Sequence, residues 1–134
     1  MEYIEGRDLH KSIFTKKIQL SEQEVAKIIY QIAMGLTELH KSNIIHRDLK
    51  LENVIYLPNK SIKLVDLGCS NYYGEDIQRL TSIGTKFYFS PEVLSGDGQD
   101  DKLDVWCLGV LLYELLFLTS PFKGNDMFVK IRKI

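Results

Sequence analysis

The sequence predicts an α+β fold that is mainly helical, with one small β-hairpin, and three observations carry that prediction. Ser21 and Glu24 form a capping box at the head of a run in which Val25, Ile28, Ile29, Ile32, Leu36 and Leu39 recur at helical spacing. Residues 54–57 and 62–65 are short, apolar, partly β-branched runs joined across Pro58, Asn59 and Lys60, which is a hairpin signal. Residues 103–118 are apolar on nearly all sides, the mark of a helix buried at the centre of a domain.

In chain order, residues 1–4 read as extended, Gly6 breaks that stretch, and a helical turn is expected over 8–14. The capped amphipathic helix runs from 21 to about 40. Residues 43–53 mix apolar and charged side chains without either period, so they read as a loop fixed by tertiary contacts. The hairpin follows. From 66 to 94 no period survives, and a loop of that length in a compact domain points to a functional, regulatory segment. An acidic, Gly-containing turn over 95–101 leads into the apolar helix, which Pro121 stops. Asn125 or Asp126 is expected to cap a last amphipathic helix containing Met127, Phe128 and Ile131.

Composition narrows the function classes. At 134 residues, 45% hydrophobic and 26% charged, the chain suits one hydrophobic core. Seventeen Lys and Arg against eighteen Asp and Glu give a net charge of -1, so no overall basic field argues for nucleic acid or an anionic membrane. Cys69 and Cys107 have neither zinc-ligand spacing nor the density of a disulfide scaffold, which fits structural thiols in a reducing compartment. No apolar run reaches the roughly 20 residues that span a bilayer, and no secretory signal is read at the N-terminus. A cytoplasmic or nuclear location is the expectation.

The chemistry concentrates in one irregular loop, His46, Arg47, Asp48, Leu49, Lys50, Leu51, Glu52 and Asn53, followed after the hairpin by Asp66, Leu67 and Gly68. The run HRDLKLEN resembles the catalytic loop of the eukaryotic protein kinases, and DLG stands where that family has its metal-binding motif. GTKFYFSPE, residues 84–92, resembles the end of the kinase activation segment, and DVWCLGVLLYELL, residues 104–116, resembles the central helix of the large lobe. The four motifs follow one another in the family's order across nearly the whole chain. The resemblance implies a protein-kinase-like fold, seen here as the C-terminal (large) lobe with its small hairpin at the cleft. Residues 1–134 are accordingly expected to form a partial kinase domain with the N-terminal lobe absent.

Phosphoryl transfer requires cations on the phosphates, a positioned hydroxyl and neutralised charge on the equatorial oxygens. By the resemblance, Asp48 accepts or orients the hydroxyl proton and Lys50 reaches the transferring phosphate as a point charge. Asn53 and Asp66 offer the hard oxygen ligands that magnesium prefers, and the hairpin carries the chain out and back between them. His46 supports the loop, while His10 and His40 receive no role. MEYIEGRDL resembles the hinge between lobes, so that the backbone of Glu2 and Ile4 would hold adenine, with Met1 gating the pocket behind. Asp8 would meet ribose or substrate, and Ile55 would floor the adenine site. Glu52 is placed beside the nucleotide and, with Asp8 and Glu114, along a peptide groove suited to basic residues before the acceptor.

Lys50, together with Thr85 after Gly84, resembles Ser/Thr rather than tyrosine kinases. Arg47 resembles the arginine that pairs with a phosphorylated activation loop, which here points to Thr81, with Arg79 nearby, and to an upstream kinase. Leu67 and Ser90 depart from the usual Phe and Ala of these motifs, conservatively in bulk or polarity. The Gly-rich loop, the Lys that pairs with the α- and β-phosphates and its Glu partner are not in the sequence, nor is the Arg that would pair with Glu92, so a fragment inactive alone is expected. The full-length protein is therefore read as an ATP- and magnesium-dependent Ser/Thr protein kinase. The alternative is a noncatalytic protein-binding module, and a phosphotransferase acting on small molecules is a weaker third.

Overall fold

A computed structural model of the chain describes residues 6–72, 88–96 and 100–122. The expected N-terminal extended stretch and the last amphipathic helix lie outside the described residues. Within them the two long helices and the hairpin stand where the sequence places them.

Helix α1 spans Glu22–Lys41. Its capping box is complete: Ser21 Oγ accepts from the Glu24 amide, and the Glu24 carboxylate accepts from the Ser21 amide at 3.1 Å. These bonds satisfy amides that a helix start leaves orphaned. Val25, Ile28, Ile32 and Leu36 are buried, so the predicted stripe is the face that meets the core. Ile29 and Leu39 pack at its margin. Fully burying one such aliphatic side chain stabilises by about 1.5–3 kcal/mol, so this stripe outweighs the cap.

The hairpin consists of β3, Val54–Tyr56, and β4, Ile62–Leu64, paired antiparallel with Val54 opposite Leu64 and Tyr56 opposite Ile62. The helical turn expected over 8–14 is corrected at its start. Arg7–Asp8 form a short strand, β1, which pairs antiparallel with β3 and makes the sheet order β1-β3-β4. Gly6 explains why. A Cβ there would stand 2.5 Å from Ile55 Cγ2 and 2.8 Å from Leu57 Cδ2, so only Gly lets the chain approach β3 this closely. The helical residues that follow end in a π-helical turn, Lys11–Thr15.

Two stretches read as loops contain short ordered pieces. Ile44–Ile45, β2, pairs antiparallel with Asn71–Tyr72, β5, and single 3₁₀ turns form at Leu51–Asn53 and Leu67–Cys69. Two-residue strands are too short to leave a period in sequence. Helix α2 spans Pro91–Ser95 with Pro at its first turn, where a missing amide costs nothing. Helix α3 spans Lys102–Phe117 and packs against α1.

The expectation that α3 is buried all round is corrected among the described residues. Leu103, Cys107, Val110, Leu111 and Leu115 are buried, but Val105, Leu112, Leu116 and Phe117 are exposed, Val105 by 60%. Among the described residues α1 packs against α3, Tyr88 meets Cys107 and Glu114, and Phe122 stacks on Trp106. Cys107 is buried and its thiol donates to the Tyr88 carbonyl at 3.4 Å; burial pushes its pKa up, as a structural thiol requires. No helix among the described residues is long and apolar enough to cross a membrane.

Candidate active site

The residues of the 46–53 loop are fixed by hydrogen bonds rather than by secondary structure. Asp48 is buried, and two bonds converge on its Oδ2, from Lys50 Nζ at 2.6 Å and from Asn53 Nδ2 at 3.0 Å. Asn53 Nδ2 also donates to the Asp48 carbonyl at 2.7 Å. With the amide nitrogen so committed, Oδ1 is the Asn53 atom left for a ligand. Asp48 Oδ1 accepts no hydrogen bond among the described residues, so one carboxylate oxygen is held and the other is available.

Asp66 enters by register. The Val65 amide donates to the Asn53 carbonyl at 3.0 Å, extending the β3–β4 ladder by one pair, and Asp66 is the next residue. Its backbone is left-handed, φ 63°, and its exposed side chain accepts from the Gly68 amide at 3.3 Å. Arg47 is left-handed too, at φ 67°. Non-Gly residues in this region cost energy and concentrate at functional sites.

Burial pushes the Cys69 thiol up, the Asp48 and Asp66 carboxylates add to the rise, and Lys50 opposes it. A carboxylate and an amide oxygen at the base of one hairpin fit magnesium, which takes few protein oxygens and otherwise phosphates and water.

The loop is anchored from below by a residue the sequence reading passed over. Asp104, fully buried on α3, accepts the His46 amide at 2.9 Å on Oδ2 and the Arg47 amide at 3.0 Å on Oδ1. His40 Nε2 lies 2.8 Å from Asp104 Oδ2, so the histidine left without a role is a member of this anchor. An acid in the first turn of so apolar a helix was the available signal, since a buried carboxylate requires partners. The His46 ring is buried beneath the loop and its Nδ1 accepts from the Asp48 amide at 3.4 Å. Burial lowers its pKa, against the pull of Asp104 and Asp48, consistent with a neutral supporting ring.

The outer candidates fare differently. Asp8 accepts from the Lys11 amide at 2.7 Å and pairs with Lys11 Nζ at 3.2 Å, so it starts the following helical residues. Burial pushes its carboxyl up, but the Lys11 bonds prevail and leave it below the ordinary value. Ile55 lies in the middle of β3, opposite Asp8, and Glu52 is exposed on the loop. Glu114 is buried and accepts from the Tyr88 hydroxyl, so its partner is a tyrosine and not the internal arginine that buried acids commonly find. Burial holds the Glu114 carboxyl above its usual range. Glu2, Ile4, Arg79, Thr81 and Thr85 lie outside the described residues.

Comparison with known proteins shows the family. The family described as "Protein kinase domain" matches residues 1–134. The chain is 40% identical over its whole length to NUAK family SNF1-like kinase 1 of Homo sapiens, covering 20% of that protein. It is 38% identical over 96% of its length to calcium-dependent protein kinase 4 of Plasmodium falciparum, covering 25% of it. Similarity to myosin light chain kinase 2, skeletal/cardiac muscle, of Rattus norvegicus is 38% over 94% of the chain and 21% of the relative. The chain thus spans a fifth to a quarter of the curated relatives it matches.

Proposed function

The chain belongs to the protein kinase family, and from that premise we propose that the full-length protein transfers the γ-phosphoryl group of ATP to Ser or Thr hydroxyls of protein substrates. The observation that carries the reading is the convergence of Lys50 and Asn53 on one oxygen of Asp48, at the base of the hairpin that leads to Asp66.

Asp48 Oδ1 orients the acceptor hydroxyl and takes its proton as the hydroxyl oxygen attacks phosphorus. Lys50 balances the Asp48 charge before the reaction and lends a positive charge to the transferring group. Asn53 pins the Asp48 carboxylate with its amide nitrogen, and its oxygen and the Asp66 carboxylate would hold the cation. Magnesium, when bound, neutralises charge on the phosphate oxygens. Backbone of Glu2 and Ile4 and the side chain of Ile55 hold the adenine side, with Asp8 and Glu52 near the ribose and peptide.

Glu114 marks the peptide groove. An Arg before the acceptor that displaced the Tyr88 hydroxyl would meet a buried carboxylate and gain paired, charge-assisted bonds. The experiment is a peptide-library phosphorylation assay on the full-length protein. The expected result is Ser/Thr phosphorylation that falls at least a hundredfold with Asp48→Asn, with Arg selected before the acceptor and that selection lost in Glu114→Gln. Phosphate transfer undiminished by Asp48→Asn would overturn the reading.

A further inference from the structure

We propose that Gln31, a residue of α1 outside the candidate site, is a positioning residue that fixes the spacing of Asn53 and Asp66 by seating the β3–β4 hairpin on α1.

Strand β4 is the outer strand of the β1-β3-β4 sheet. The Leu57 amide donates to Ser61 O and the Val65 amide to Asn53 O, so the inward bonds fall on odd-numbered residues and the amides of Ile62 and Leu64 face away from β3. Such an edge leaves donors to be covered. Gln31 covers one from the helix side: its Oε1 accepts the Ile62 amide at 3.1 Å, and its Nε2 donates to the Lys60 carbonyl at 3.4 Å. Nε2 also donates to the Lys27 carbonyl at 3.3 Å, so the acceptor of this amide holds β4 while its two donor hydrogens serve the hairpin turn and its own helix.

A second observation marks the same seat. One helical turn beyond Gln31 is Gly35, where a Cβ would stand 3.0 Å from Leu64 Cδ1. The helix therefore carries a hydrogen-bonding side chain and a gap at i and i+4, both aimed at β4. Lys60 Nζ pairs with Glu24 Oε1 at 3.0 Å, closing the tip of the hairpin onto the first turn of α1.

The seat bears on the site because, among the described residues, the Asp66 side chain bonds to the Gly68 amide, two residues along the same chain. Its place relative to Asn53 is inherited from β4 through the Val65–Asn53 pair. Magnesium tolerates little distortion of its ligands, and a ligand displaced by about half an ångström is a poor one. Loss of the Gln31 bonds leaves β4 held from the β3 side alone, which loosens the Val65–Asn53 pair and with it the spacing of Asp66 from Asn53.

The inference rests on the kinase reading of Asn53 and Asp66, and its test separates the two. In the full-length protein, Gln31→Leu removes both hairpin bonds at similar bulk, Gln31→Glu keeps the acceptor for Ile62, and Gly35→Ala fills the gap with a good helix former. Half-saturating magnesium is measured in the phosphorylation assay, and Mn²⁺ affinity in the presence of nucleotide is measured by electron paramagnetic resonance. Gln31→Leu is expected to weaken both about tenfold, the scale for groups that orient metal ligands, while the KM for peptide stays unchanged. Gln31→Glu recovers most of the loss, and Gly35→Ala weakens cation binding in the same direction, which keeps the test open if Gln31→Leu does not fold. Unchanged Mn²⁺ affinity in Gln31→Leu or Gly35→Ala, even with a lowered melting temperature, overturns the positioning role. Failure of the kinase reading appears separately, as phosphate transfer that Asp48→Asn does not diminish.

Discussion

At the scale of single residues the site is a set of buried polar groups, most of them hydrogen-bonded. Asp104 is the most heavily used, with two backbone amides and His40 on its two oxygens. Asp104→Asn keeps one acceptor and turns a donor toward donors, so it is expected to destabilise by about 3 kcal/mol in chemical denaturation, whereas Asp100→Asn at the surface changes stability by less than about 0.5 kcal/mol. His46 adds a pH dependence. Burial lowers its pKa, so the folded state holds the ring neutral while the unfolded chain takes up a proton near 6.5. The unfolded state then binds more protons on the acid side, and stability falls as pH drops below that value. Urea titrations at pH 7.5 and 5.5 should show the loss, and His46→Phe should flatten that slope although it also forfeits the Asp48 amide bond. Asp48, Lys50, Asn53 and Asp66 were legible in sequence because the chemistry needs those types in that order. Asp104 and His40 were not, because their partners are backbone amides and a residue far along the chain, which no local spacing records.

At the scale of elements, periodicity served where an element was long enough to show it. Helix α1 has both ends and its buried stripe written in sequence, and the hairpin was visible through its β-branched runs and turn residues. Strands β1, β2 and β5 were invisible, being two residues each. The capping box gives a direct check: Ser21→Ala removes one of its two reciprocal bonds and should cost about 1 kcal/mol, read as a lower denaturation midpoint with unchanged slope. Helix α3 taught the opposite lesson. Its apolar character is present on all sides, yet burial follows neighbours, and Val105, Leu112, Leu116 and Phe117 stay exposed.

At the scale of the whole molecule, the candidate chemistry sits where three pieces meet: α1 through Gln31 and Gly35, the hairpin through Asn53 and Asp66, and α3 through Asp104. The loop from His46 to Asn53 has almost no regular structure, yet it is the most constrained part of the fold, with His46, Asp48, Leu49 and Leu51 all buried. Loops ordinarily open before cores do. This one hangs from the central helix by a carboxylate that is itself sealed inside the core, so it has no soft mode of its own. In the full-length protein, heat inactivation should therefore track the loss of helical circular dichroism degree for degree, and limited proteolysis should find no foothold between His46 and Asn53 while α3 remains folded. The tether makes the order of this loop and global cooperativity one and the same transition.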